Sequence, residues 1–189
     1  MAARIAKEVK NASLSTEYDF FMDEGKYSDI EPNNCYLRFT VKSGLYTGQT
    51  HIIRIKFDYG SNVRKMYPMH PPNCIFLTPM WHTNVSKEGG ICVDILREDS
   101  SDPNAWSPLY GVDAIFHSIL LLLEEHNGQS PYNGEASKQF KAAKEAGNMS
   151  SFVEIANQYY RTKMASTGDG SMLLKILSAP EFEKKEIKK

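Results

Sequence analysis

The chain has little cysteine, no long apolar run and almost no net charge. Its 189 residues include three cysteines, Cys35, Cys74 and Cys92. An odd, sparse set without regular spacing excludes a disulfide framework and points to a reducing compartment, cytoplasmic or nuclear. No Cys-x-x-Cys or His-Glu-x-x-His occurs, so the strong zinc signatures are missing and no metal or cofactor is expected. The longest unbroken apolar run, Ile119–Leu123, is far too short to cross a bilayer. The opening MAARIAKEVKN is charged and lacks an apolar signal core, so neither a secretory leader nor a membrane partner is expected. Lys and Arg total 22 against 23 Asp and Glu, for a formal net charge of -1, which argues against a nucleic-acid partner.

What is present suits one domain with a real core, since 41% of residues are hydrophobic. Residues 3–13 place Ile5, Val9 and Ala12 on one face, as a helix requires. Arg4, Lys7 and Lys10 form a basic stripe beside it. Such a stripe is ordinarily a solvated face; the alternative is a docking strip for an acidic partner.

Tyr18–Met22 reads as a short strand, and Glu31-Pro32-Asn33-Asn34 as a turn. Cys35–Lys42 alternates strictly. Cys35, Leu37, Phe39 and Val41 face a core, and Tyr36, Arg38, Thr40 and Lys42 face water. His51–Phe57 repeats the pattern, with Ile53, Ile55 and Phe57 inward and His51 at the strand edge. The proline-stiffened bend Tyr67-Pro68-Met69-His70-Pro71-Pro72 leads into another strand at Asn73–Thr78. Cys35 and Cys74 therefore fall on strands as core residues. Cys92 stands apart, inside the irregular stretch Trp81–Trp106, and irregular segments carried by rigid elements are where chemistry gathers.

Three helices follow. Val112–Glu125 is apolar around most of its circumference, which predicts a buried helix with His117 as a packing histidine. Glu135–Ala146 is stopped by Gly147-Asn148. Ser151 and Glu154 form a capping box that opens a helix carrying Phe152, Ile155, Ala156, Tyr159 and Tyr160 on one face. From Thr167 the pattern decays at Gly168, Gly170 and Pro180. Strands and helices are segregated, so the fold class is α+β. The reading is a core at 3–165 and a C-terminal extension at 166–189, expected to be mobile.

These residues resemble the ubiquitin-conjugating enzyme family. Tyr67 to Pro72 matches the family's Tyr-Pro-x-x-Pro-Pro bend. His82-Thr83-Asn84 matches its His-Pro-Asn tripeptide with one change, and Cys92 stands eight residues after Asn84. Asp94-Ile95-Leu96, Trp106-Ser107-Pro108 and the loop from Glu125-His126-Asn127 to Ser130-Pro131 fall in family order. The resemblance covers roughly residues 3–165 and implies the family's fold: an N-terminal helix, a four-stranded antiparallel meander, an irregular active-site segment and three C-terminal helices.

It also implies an acyltransferase. A modifier protein, ubiquitin or a ubiquitin-like protein of the neddylation type, would ride as a thioester on Cys92 and pass to a substrate lysine, with an activating enzyme and a ligase as partners. Such a site needs a thiolate and no hydrolytic base nearby. By resemblance, Asn84 supplies a side-chain amide for the oxyanion; losing such a donor costs on the order of 3 kcal/mol. His82 holds the turn. Ser130 matches the gate residue, with a hydrogen-bonding role. Asn127, Tyr132 and Asp94 match neighbours of the donor groove or acceptor approach. Met69, Ser107 and Pro108 match the loops offered to ligases, and Arg4, Lys7 and Lys10 the helix face offered to the activating enzyme.

Three departures set this chain apart. Thr83 replaces the tripeptide's proline, which predicts a less constrained turn. The 58–66 loop is longer than the family's usual link. Cys92 to Trp106 spans fourteen positions, longer than in short members, and Leu96-Arg97-Glu98-Asp99 resembles the neddylation branch. Two other classes compete: a non-catalytic binding module on the same fold, and a papain-like hydrolase pairing Cys92 with His117 or His126.

Overall fold

The computed structural model describes residues 2–23, 26, 34–57, 66–98, 101–128, 131–168 and 171–182. Most of the 58–66 loop, Ser130 and the end of the chain lie outside that set. Helix α1 (Ala2–Ala12) precedes four strands, β1 (Asp19–Met22), β2 (Asn34–Thr40), β3 (Thr50–Lys56) and β4 (Asn73–Phe76), followed by helices α2 (Val112–Glu124), α3 (Gly134–Glu145), α4 (Met149–Ala165) and α5 (Met172–Leu177). The strands form one antiparallel sheet in chain order, the meander that the alternation predicts.

Register sorts the side chains. Phe20, Leu37, Ile53 and Phe76 lie across from one another along the ladder, and so do Phe21, Tyr36, Arg54 and Ile75. Successive residues of a strand point to opposite faces, so these two rows belong to opposite sides of the sheet. The first row joins Ile5, Ile115, Phe116, Ile119, Ala136, Phe152 and Ala156 in the main core, which binds the first four helices to the inner face.

The outer face is also covered, contrary to the wet face expected from Tyr36. Phe21, Tyr36 and Ile52 form a second core with Ile176, Ala179 and Phe182. The segment expected to be mobile thus folds, over residues 171–182, into α5 and a 3-10 turn at Pro180–Phe182. Arg38 anchors it: Nη1 donates to the Leu177 carbonyl at 2.8 Å, and the guanidinium lies 4.4 Å from the centroid of the Phe182 ring. A cation on an aromatic face lets a strand that alternates with charge still carry an apolar cover.

Four smaller expectations change. His51 is fully buried, not at an edge; it points inward, where Nε2 donates to Gln49 and Nδ1 accepts from Thr78. Burial pushes its pKa down to about 3. His117 is exposed on α2, donating to the Asp113 carbonyl and facing Glu17. Helix α2 also leaves Leu121 62% exposed, so its outer turn is not packed. Helix α4 begins at Met149 after Asn148, and Ser151 donates to the Asn148 carbonyl instead of capping. The turn at Gly147, with φ at 63°, reverses the chain so tightly that the helix starts before the Ser-x-x-Glu motif.

Candidate functional site

The irregular stretch is built on the end of β4. A small hairpin at 85–91 leans on it. Ser86 N–H donates to the Gly90 carbonyl at 2.8 Å, and Phe76 N–H donates to the Gly89 carbonyl at 2.9 Å. Gly89 has φ of 90°, and a Cβ there would sit 2.0 Å from the Phe76 carbonyl oxygen. Only glycine satisfies both conditions. The hairpin delivers Cys92, whose N–H donates to the Asn84 carbonyl at 2.8 Å.

Asn84 is fixed from two sides. Its Oδ1 accepts from Asn127 N–H at 2.9 Å, and its Nδ2 donates to the Asn127 carbonyl at 3.0 Å. One carboxamide therefore mimics a strand pairing with the loop after α2. Nδ2 carries two hydrogens, and this arrangement uses one. His82 sets the turn: Nδ1 accepts from Asn84 N–H at 2.9 Å and Nε2 donates to the Leu122 carbonyl at 2.8 Å. Both ring nitrogens are in use and burial pushes the pKa down to about 4, so His82 is neutral and structural in character.

Thr83 is not loose. It is buried, its hydroxyl lies 2.8 Å from His126 Nδ1, and its carbonyl accepts from Asn133 N–H at 3.0 Å. The constraint expected of a proline ring is replaced by hydrogen bonds. Sequence reasoning left His126 as a candidate base and Asn133 unremarked. Asn133 caps α3 through its side chain. Its place just before the predicted helix was the signal available.

Cys35 and Cys74 are buried and Cys92 is partly exposed. Burial pushes the Cys92 thiol pKa up; Asp94 adds to this and Arg97 opposes it. Such a thiol rests protonated near neutral pH and resists adventitious chemistry. Downstream, Asp94–Leu96 is a 3-10 turn pinned by buried Ile95. Arg97 reaches Asp94 at 3.4 Å and Asp102 at 3.6 Å, and its carbonyl accepts from Trp106 N–H at 3.0 Å. These contacts close the acidic loop on itself.

Trp106 then ties two surface loops together by donating from Nε1 to the Pro68 carbonyl at 2.7 Å. Met69, at 62% exposed, stands on one loop and Pro108 and Leu109 on the other, Leu109 at 87%. Ser107 is half-buried at the base. Leu109 was missed because a lone apolar residue in a proline turn has no periodicity to mark it. Arg4 leaves the basic stripe in part: it pairs with Glu8 at 2.8 Å and donates to the Tyr110 carbonyl at 3.0 Å, joining α1 to the same loop. Lys7 and Lys10 remain exposed. Asn127 and Tyr132 flank the 129–130 positions as exposed residues, Asn127 by its backbone held to Asn84.

The hydrolase pairing finds no base. His117 is held by Asp113 and Glu17. His126 has Thr83 on one nitrogen and Tyr46 on the other, and burial together with His82 pushes its pKa down to about 2. A nucleophile–base pair requires a direct hydrogen bond between the two, and both imidazoles are engaged elsewhere.

The chain is 39% identical over 98 residues to the Schizosaccharomyces pombe ubiquitin-conjugating enzyme E2-20 kDa, covering 51% of this chain and 52% of that one. It is 30% identical over 138 residues to the Kluyveromyces lactis NEDD8-conjugating enzyme UBC12, covering 71% and 65%. The chain thus spans about half to two thirds of the length of these curated relatives. The fold matches the solved E2 domain of a Toxoplasma gondii ubiquitin conjugating enzyme with a TM-score of 0.66 at 23% identity, covering 86% of this chain and 98% of that one. With the family model for ubiquitin-conjugating enzymes matching residues 4–157, the chain belongs to the ubiquitin-conjugating enzyme family.

Proposed function

We propose that this protein carries ubiquitin as a thioester on Cys92 and transfers it to substrate lysines. The observation that carries the reading is the contrast among its cysteines: Cys92 alone is partly exposed, and its backbone is bonded to Asn84. In the charging step the Cys92 thiol loses its proton to solvent, its sulfur attacks the modifier's C-terminal thioester on an activating enzyme, and the activating enzyme's sulfur leaves as a thiolate. In the transfer step a lysine amine attacks the Cys92 thioester carbonyl, and negative charge gathers on its oxygen. The remaining Nδ2 hydrogen of Asn84 is suited to stabilise that oxyanion. Collapse expels the Cys92 thiolate, and the amine proton passes to solvent. Ser130, Tyr132 and Asp94 would line the lysine's approach.

The partners we propose are an activating enzyme at the Lys7 and Lys10 face and a ligase at Met69, Ser107, Pro108 and Leu109. Free buried thiols at Cys35 and Cys74 support a cytoplasmic or nuclear setting. Among the described residues no helix is long and apolar enough to cross a membrane. A NEDD8-type modifier is the second reading, supported by the 138-residue match to a NEDD8-conjugating relative.

The test is a charging panel. Protein, ATP and each activating enzyme with its modifier should give a reductant-sensitive adduct that Cys92→Ala abolishes. No adduct with any modifier overturns the reading; an adduct with NEDD8 and not ubiquitin selects the second.

A further inference from the structure

Two dipeptides lie side by side beneath Cys92: Thr83-Asn84, and His126-Asn127 after α2. Asn84 bonds to the backbone of Asn127. Thr83 bonds through its side chain to that of His126. The second pair has a definite proton order. The Tyr46 hydroxyl lies 2.8 Å from the Trp81 carbonyl, which can only accept, so Tyr46 donates there. Its oxygen can then only accept from His126 Nε2, 3.2 Å away. Nε2 therefore carries the ring proton, Nδ1 is bare, and the Thr83 hydroxyl donates to it at 2.8 Å. The ring is stacked on Phe140 at 3.8 Å and packed against His82 at 3.9 Å, so it has no room to turn.

We infer that Thr83 and His126 form a neutral, proton-ordered clasp that positions Asn84 against the Asn127 backbone for the transfer step. Thr83 stands where the tripeptide's proline is expected, and the clasp does by directed bonding what a ring does by restricting φ. Its position predicts a selective effect. Charging needs the Cys92 sulfur, which the clasp does not touch. Transfer needs the Asn84 amide, and each half of the clasp is one residue from the Asn84–Asn127 pair. Thr83 and His126 are thus positioning residues. This inference rests on the proposed carrier function only for the rate it affects; the tautomer stands independently.

The experiment compares Thr83→Val, which keeps the shape and removes the hydroxyl, with Thr83→Ser, which keeps the donor. Single-turnover discharge to free lysine is measured from equally charged protein, with nitrogen NMR of the imidazoles alongside. Thr83→Val should charge as the parent does and discharge about tenfold more slowly, the loss of one hydrogen bond. Thr83→Ser should return to within about twofold, well inside the effect of one such bond. The parent's His126 should show a protonated Nε2 and a bare Nδ1, with the Nδ1 resonance shifting in Thr83→Val and not in Thr83→Ser.

Equal discharge by Thr83→Val, a parallel loss of charging, or failure of Thr83→Ser to restore the rate each overturns the clasp. So does a parent His126 that exchanges tautomers or protonates Nδ1. If Thr83→Val does not fold, Tyr46→Phe breaks the chain at its other end and should reproduce the selective slowing; unchanged discharge there overturns it. If no modifier charges the parent, the carrier function has failed and the NMR alone decides the clasp.

Discussion

The two sides of Cys92 are held by different physics. Upstream, residues 81–91 are fixed by short bonds from three buried side chains: His82 to Leu122, Asn84 to Asn127, Thr83 to His126. Downstream, the described residues of 93–106 are tied by Arg97 to two carboxylates, by His70 to Glu98 at 2.8 Å, by Trp106 to the Arg97 and Pro68 carbonyls, and by buried Ile95 and Ala105. Buried hydrogen bonds are costly to leave unmade, whereas exposed ion pairs contribute little and yield to salt. The bonds that fix Asn84 beside Cys92 therefore lie upstream, and the exposed ion pairs of the downstream segment add little to them.

The strongest way to break that contrast is at Gly89. Gly89→Ala must relieve both a positive φ and a Cβ–carbonyl clash, and should cost 3 kcal/mol or more, about the level of the larger single-residue effects. Thermal unfolding should show a Tm loss with reduced charging; an unchanged Tm would mean that the hairpin is not rigid. Asn84→Ala comes next. It should still accept the modifier but discharge it roughly 100-fold more slowly, as expected for removing an oxyanion donor; equal discharge would show that Asn84 only braces the loop.

Acid should act on the upstream side as well. His82 and His126 beside it have folded pKa values near 4 and 2, and His51 in the sheet near 3, all below the ordinary 6.5. The unfolded chain therefore binds protons that the fold excludes. Stability is complete above about pH 6.5 and falls as pH drops toward those folded values, by about 1.4 kcal/mol per unit for each histidine. Urea melts at pH 7 and pH 5 measure the slope, and His82→Gln should flatten it by one proton. The smallest effect belongs downstream: Arg97→Gln should change stability by less than about 0.5 kcal/mol, since its carboxylate partners are exposed or only partly buried. A larger loss there would erase the distinction between the two sides.

How much of this was legible in the residues follows the same line. Strict alternation in Cys35–Val41 and Ile53–Phe57 marks the inner face of β2 and β3, because period two has a single geometric meaning. The outer cover was not legible. Met172–Leu177 is too short for helical periodicity to stand out, glycines precede it, and the face it covers alternates with Arg38. That helix exists through tertiary burial, which local pattern does not carry. Spacing singles out Cys92 and Asn84, but Asn84's partner is the backbone of Asn127, 43 positions away, and a backbone partner leaves no mark in side-chain identity. Thr83 read as a loss of constraint for the same reason: its compensation lies in His126, also 43 positions away.

The outer cover has a practical consequence for how the chain is cut. The family match ends at residue 157 and α4 ends at Ala165, so either point looks like a natural place to truncate. A fragment ending there would strip Ile176, Ala179 and Phe182 from Phe21, Tyr36 and Ile52, leaving an oily sheet surface in water. Such a fragment should scatter light and smear on a sizing column, while one carried through Phe182 should elute as a sharp peak.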